Sequence, residues 1–217
     1  MAPRHHILKL ISEGEHQLLD FKYEISDARK IARSLSAFAN TFGGRLLIGV
    51  KDNGAIKGVQ SEEEYYMLDA SASLYCKPPV QFQIQQWTLS GKMILEVTIP
   101  KSDKNPHFAE DPPGKWAAYI RVKDQNFPAN RIQLKVWEQE KQPQGVFIKF
   151  TEHEKLLLSY LEENDSLTIS KFIRLTGLSR YKAEQILIRF ISLRIIRIEY
   201  TENRILYRLI PSTDSDQ

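Results

Sequence analysis

Ser36-Ala37-Phe38-Ala39-Asn40-Thr41-Phe42-Gly43-Gly44-Arg45-Leu46-Leu47-Ile48-Gly49-Val50-Lys51-Asp52-Asn53-Gly54 decides how the first part of this chain folds. Upstream of it, Ala28, Ile31, Ala32, Leu35, Phe38, Ala39 and Phe42 recur at helical spacing, which predicts a helix that buries one face. Ser26 offers its N-cap, with Asp27 in the first turn. Gly43-Gly44 stops that helix, and Arg45–Val50 is a compact apolar strand. Asp52-Asn53-Gly54 is hairpin-turn chemistry leading into Ala55–Val59.

Working outward, His5–Ser12 reads as a short helix on Ile7, Leu8 and Ile11, stopped by Gly14, and Gln17–Tyr23 reads as extended. Downstream, Ser61-x-x-Glu64 is a capping box opening a helix to about Leu74. Val80–Trp87 and Lys92–Ile99 flank Ser90-Gly91 as a hairpin, Trp116–Val122 is a further strand, and Asn130–Glu140 a helix. The predicted class is α+β, a mixed sheet with flanking helices. The polar Pro/Gly break at Gln142–Gly145 predicts a boundary: a large domain over 1–142, a linker over 143–150, and a small domain over 151–210. Residues 211–217 are expected to be a disordered tail.

Glu152–Glu163, Thr168–Leu175 and Arg180–Leu193 read as three helices, with Gly177-Leu178-Ser179 as the turn before the third. Ile195–Tyr200 and Arg204–Leu209 follow as a hairpin. That is the order of a winged helix-turn-helix. Ser179 caps the third helix, and Arg180, Tyr181, Lys182, Gln185 and Arg189 are its outward positions, with Arg204 on the wing. Such side chains suit phosphates and base edges. Residues 171–208 hold nine basic side chains against three acidic ones, although the whole chain is only +3. The competing reading is a protein-interaction module whose basic face is merely solvated.

Composition narrows the classes. At 217 residues with 42% hydrophobic content the chain is globular, and no apolar run approaches the ~20 residues of a membrane helix. Cys76 stands alone, which excludes an intrachain disulfide and a zinc site built on cysteine pairs. The N-terminal stretch lacks the apolar core of a secretory signal, so a cytoplasmic location is expected. No GxxxxGK[ST] or GxGxxG occurs, and Gly43-Gly44 lies between a helix and a following strand, the reverse of a phosphate-cradling loop; an ATP site is not expected.

Glu15-His16-Gln17-Leu18-Leu19-Asp20-Phe21-Lys22, the stretch from Ser36 to Gly54, Gly58, and Tyr119-Ile120-Arg121-Val122 with Pro128-Ala129 together resemble the Schlafen AlbA-like domain family over roughly residues 10–140. The family is labelled DNA-binding, and in older usage ATPase-like. The resemblance implies an α+β fold and nucleic-acid binding, with a winged helix-turn-helix as a frequent companion. The expected function is therefore a DNA-binding transcriptional regulator, with duplex DNA as partner and a homodimer as the working form.

Some members of that family are metal-dependent ribonucleases using three carboxylates. Carried over by position, these are Glu15, Asp20 and Asp52, with Lys22 beside Asp20 to steady a phosphate. Mg²⁺ or Mn²⁺ held there would activate water for cutting structured RNA. The competing reading makes Asp20 and Lys22 a surface pair and Asp52 the start of a turn. Glu15 and Asp20 are five apart, so they can meet only if Glu15 precedes the strand or sits at a bulge.

Overall fold

The computed structural model describes residues 3–59, 62–141 and 150–211. Internal packing divides the chain into two units, through Ala129 and from Asn130. Gln142–Gly145, where the sequence predicts the domain break, lies outside the described residues, as does nearly all of the 143–150 linker and of the 211–217 tail.

The first unit runs α1 (Pro3–Glu13), β1 (Leu19–Lys22), α2 (Ala28–Asn40), β2 (Gly44–Ile48), α3 (Glu63–Ser73), β3 (Cys76–Lys77), β4 (Gln83–Leu89), β5 (Lys92–Ile99), β6 (Phe108–Glu110), β7 (Trp116–Val122) and β8 (Gln125–Pro128). It is α+β, as expected, but its strands form two sheets rather than one. The first has the order β1-β2-β5-β4 and is mixed: β1 and β2 are parallel, the other pairs antiparallel. The second, β3-β6-β7-β8, is antiparallel. The one-sheet expectation fails because β3, β6 and β8 are two to four residues long, too short for alternation to register.

Helix α2 packs against both sheets. Ile31, Leu35 and Phe38 join Leu46, Ile48, Leu95 and Val97 of the first sheet and Ala109 and Tyr119 of the second in one core. Its N-cap is Asp27, not Ser26: the Asp27 carboxylate accepts the Arg29 N–H at 2.9 Å. On the other face of the first sheet, Ile7 and Leu10 of α1 cover Leu19, Phe21, Leu47 and Ile94, while Leu8 turns outward.

The polar members of the decisive stretch bind α2 to the second sheet. Ser36 Oγ donates to the His107 carbonyl at 2.7 Å and accepts from the Tyr119 N–H at 3.2 Å. One turn on, Asn40 Nδ2 donates to the carbonyls of His107 and Tyr119, and Asn40 Oδ1 accepts from the His107 N–H. Thr41 Oγ1 accepts from the Arg121 N–H at 2.9 Å. Buried backbone groups at the start of β6 and along β7 thereby find partners.

Gly43 ends α2 at φ +74, where its N–H reaches the Phe38 carbonyl; a Cβ there would stand 2.7 Å from backbone atoms of Ile99 and Lys101. A Cβ on Gly44 would stand 2.4 Å from the Phe38 ring. The chain then returns alongside β1 with Asp20 opposite Leu46 and Lys22 opposite Ile48. Asp52-Asn53-Gly54 does turn, with Ala55 N–H on Asn53 Oδ1, but only a single bridge, Val50 to Ile56, follows in place of the expected strand. The Ser61 of the expected capping box lies outside the described residues; α3 begins after Glu62 without a side-chain cap.

The second unit holds α4 (Arg131–Glu140), α5 (Glu152–Glu163), α6 (Ile169–Thr176), α7 (Arg180–Ser192), β9 (Ile196–Tyr200) and β10 (Ile205–Leu209). Helix α4, read in the sequence with the large domain, packs here: Ile132 and Val136 share a core with Leu157, Leu161, Phe172, Leu187 and Phe190. Thr151, Thr168 and Ser179 cap α5, α6 and α7, and Gly177 closes α6 in the left-handed conformation. Strands β9 and β10 are antiparallel, and Leu167 bridges Tyr207 on the far side of β10. Among the described residues no helix is long and apolar enough to cross a membrane.

Candidate functional site

Glu15 does precede the strand, and its position answers the spacing problem. Along β1, Leu18 and Lys22 offer their carbonyls to β2, so Leu19 and Phe21 turn their backbone groups outward. Local groups meet all four. Leu19 exchanges hydrogen bonds with His16, and its carbonyl also accepts Arg121 Nη2. The Phe21 N–H donates to Glu15 Oε1 at 2.8 Å, and its carbonyl accepts Lys22 Nζ at 2.7 Å. Glu15 therefore completes a strand edge.

Its carboxyl also lies beside that of Asp20. Burial, and then this neighbour, raise Glu15 to about 7. Burial alone would raise Asp20 too, but Lys22, the neighbouring Glu15 and Arg121 outweigh it and hold Asp20 below its ordinary value. Lys22 Nζ stands 3.0 Å from Asp20 Oδ2, and Arg121 Nη2 stands 3.3 Å from Oδ1. The Ser34 hydroxyl also donates to Oδ2. Arg121 is fully buried, with Nη1 on Asn126 Oδ1 and its guanidinium 5.0 Å over the Phe38 ring. It is the central residue that the sequence reading missed as a site residue. The available signal was an arginine inside the apolar run Tyr119–Val122.

Asp20, Lys22, Arg121 and Asp52 do line one open cleft of about 570 Å³, along with Lys30 and Arg33. Asp52 is exposed in its turn. Among the described residues no three His, Cys, Asp or Glu side chains gather as metal ligands. Both Asp20 oxygens already hold a cation, and Glu15 Oε1 holds a backbone N–H. As placed, Mg²⁺ or Mn²⁺ shared by Glu15, Asp20 and Asp52 would have to displace these contacts, and Lys22 would have to leave Asp20 and the Phe21 carbonyl to meet a phosphate.

In the second unit, Ser179 Oγ accepts the Lys182 N–H, and the first turn of α7 is open: Arg180, Tyr181 and Lys182 are all exposed. Beyond it the two further outward positions expected, Gln185 and Arg189, are half-buried. Ala183, Glu184, Ile186, Leu187, Ile188 and Phe190 are buried. Gln185 and Tyr181 line a groove of about 380 Å³ with Arg131 and Lys135 of α4. Arg189 is half-buried, with Nη1 on Glu154 Oε1 at 3.3 Å. The reason is α4, whose Arg131 also reaches buried Glu184, the carboxylate that takes Arg180 Nε at 3.1 Å. Arg204 is exposed in the turn between β9 and β10, on the strand pair that also exposes Arg197.

The model of the family described as Schlafen, AlbA_2 matches residues 15–130, more than half of the chain. No curated protein matches in sequence. Among the solved structures that are similar, two are each 21% identical. One is the DIP2311 protein from Corynebacterium diphtheriae, with a TM-score of 0.48 over 67% of this chain and 33% of that one. The other is the N-terminal domain of an ATP-dependent DNA helicase RecG-related protein from Nitrosomonas europaea, with a TM-score of 0.42 over 58% of this chain and 92% of that one.

Proposed function

Since the chain belongs to the Schlafen, AlbA_2 family, we propose that it binds nucleic acid, with duplex DNA the preferred partner, and acts as a homodimeric transcriptional regulator in the cytoplasm. The observation that carries this reading is the open first turn of α7. Backbone N–H groups at a capped helix start, flanked by Arg180 and Lys182, favour a phosphate, and Tyr181 adds an exposed donor beside it.

The second unit is read as a winged helix-turn-helix. The order α5, Leu167, α6, α7, β9, β10 supports this, with Leu167 as a one-residue first strand. Arg204 then stands where a wing meets the neighbouring backbone or minor groove. Because α4 covers the middle of α7, the helix meets the duplex end-on. Phosphate contacts outnumber base contacts, so affinity exceeds sequence discrimination. The ribonuclease alternative is disfavoured, because Asp20 is already neutralised by Lys22 and Arg121.

The test is a panel of duplex DNA, single-stranded DNA and mixed tRNA, incubated with Mn²⁺ or with chelator, reading binding and cleavage together. Duplex binding that is equal in both conditions, without cutting, is expected. Mn²⁺-dependent cutting would reinstate the nuclease, and absence of binding to every member of the panel would leave the interaction-module reading.

A further inference from the structure

We propose that β4 is the self-association edge of this protein, pairing antiparallel with β4 of a second copy across a twofold axis. The inference deepens the homodimer reading above by naming its surface.

A strand at the end of a sheet leaves unpaired N–H and C=O groups, and proteins usually shield them. Among the described residues the first unit has four such edges, and three are shielded. The outward groups of β1 are met one by one by His16, Arg121, Glu15 and Lys22. In the second sheet, β3 is two residues long, and β8 is four residues long and ends on Pro128.

The fourth edge is β4. It spans seven residues, it pairs with β5 on one side, and among the described residues the sheet ends there. Every second residue must turn its backbone groups away from β5. The usual defences are missing. From Val80 to Gly91 there is no Lys, Arg, Asp, Glu, His or Pro. Gln83, Gln85, Gln86 and Thr88 are exposed.

The strand is also held firmly from both faces. On one, Trp87 Nε1 donates to buried Glu96 and the ring stacks near His6 of α1. On the other, Gln86 bonds the Tyr65 hydroxyl of α3. It is a rigid template rather than a frayed end.

Charge selects the occupant. A twofold lays the edge against itself, residue i facing j and j facing i with only the on-axis residue meeting its own copy, so an edge of like charges repels itself and an uncharged glutamine edge does not. Glutamine amides both donate and accept, which makes them self-complementary. A second copy of this chain therefore fits the edge, by strand addition.

The test uses the full chain in light scattering coupled to size exclusion, at tens of micromolar. The wild type is expected at twice the mass of the chain. Gln85→Lys and Gln85→Glu alone are each expected to weaken association at least ~tenfold and to run as monomers, while an equimolar mixture of the two recovers the dimer. Thr88→Lys, at the other end of the exposed stretch, repeats the test if Gln85 variants lose their native circular dichroism. A monomeric wild type overturns the proposal together with the homodimer. A wild-type dimer that all the folded variants retain overturns the β4 edge alone and leaves the homodimer standing.

Discussion

Arg121 Nη2 lies 3.3 Å from Asp20 Oδ1 with neither side chain more than 4% exposed, so the two charges depend on each other. Removing one partner of a buried pair strands the other. Arg121→Met is expected to lower stability by about 3 kcal/mol, the low end of the range for such losses, because Lys22 still faces Asp20. The double variant Asp20→Asn/Arg121→Met should recover much of that loss. Urea unfolding decides it, and a double variant no more stable than the single one would reject the coupling.

Glu15 gives a pH signature. The folded protein holds its proton to about 7, whereas the unfolded chain releases it near the ordinary 4.5. The stabilisation linked to that proton is complete below about 4.5 and lost as pH rises through about 7. Asp20 works in the opposite sense: its folded value lies below 3.8, so its contribution is present above 3.8 and lost as pH falls through the lowered value. Glu15→Gln keeps an acceptor for the Phe21 N–H but no titrating proton. It is expected to flatten the decline in thermal midpoint between pH 4.5 and 7, and an undiminished decline would assign it elsewhere.

For the second unit, Arg180→Ala with Lys182→Ala is expected to weaken duplex binding and lower the salt-dependence slope by about 1.8, since each phosphate contact contributes about 0.9. Arg189→Ala should behave differently. Its guanidinium is held by Glu154 and only 28% exposed, whereas Arg180, although paired with Glu184, is 72% exposed, so the Arg189 variant should lose stability while the slope stays put. Equal effects of both substitutions on the slope would mean that α7 opens further than described.

Two glycines with the same backbone sign separate strain from crowding. Gly114 has φ +78 and open space around a built Cβ, so Gly114→Ala should cost about 1–2 kcal/mol from the left-handed backbone alone. Gly43 has φ +74 and backbone atoms at 2.7 Å, which cannot swing aside. Gly43→Ala is expected to cost more than twice as much in the same denaturant titration. Similar losses would mean that the loop at Ile99–Lys101 yields.

Where apolar spacing ran for ten residues or more, the sequence was readable: α2, α5 and α7 begin and end within a residue or two of their expected limits, because Asp27, Thr151 and Ser179 make real caps. The juxtaposition of β1 and β2 was also legible, since one helix and a glycine pair return the chain. The second sheet was not. It is tied to α2 through Ser36, Asn40 and Thr41, polar residues whose partners lie 67 to 83 positions away. The carboxylate site was half legible. The meeting of Glu15 with Asp20 follows once Glu15 stands before the strand, but the arginine that neutralises Asp20 comes from a strand about 100 residues on, and no local pattern announces it. The covering of α7 by α4 was hidden for the same reason: the apolar face of Asn130–Glu140 does not say which core it will join.

Helix α2 has its last seven residues, Ser34–Asn40, buried without exception, flanked by strands of both sheets. That C-terminal half of the helix cannot fray toward water, because none of its side chains is exposed. Its amide hydrogens can meet solvent only when the sheets part, so their exchange with deuterium follows global rather than local opening of the first unit. The residues that make the decisive stretch recognisable in the sequence are then also the slowest clock in the molecule.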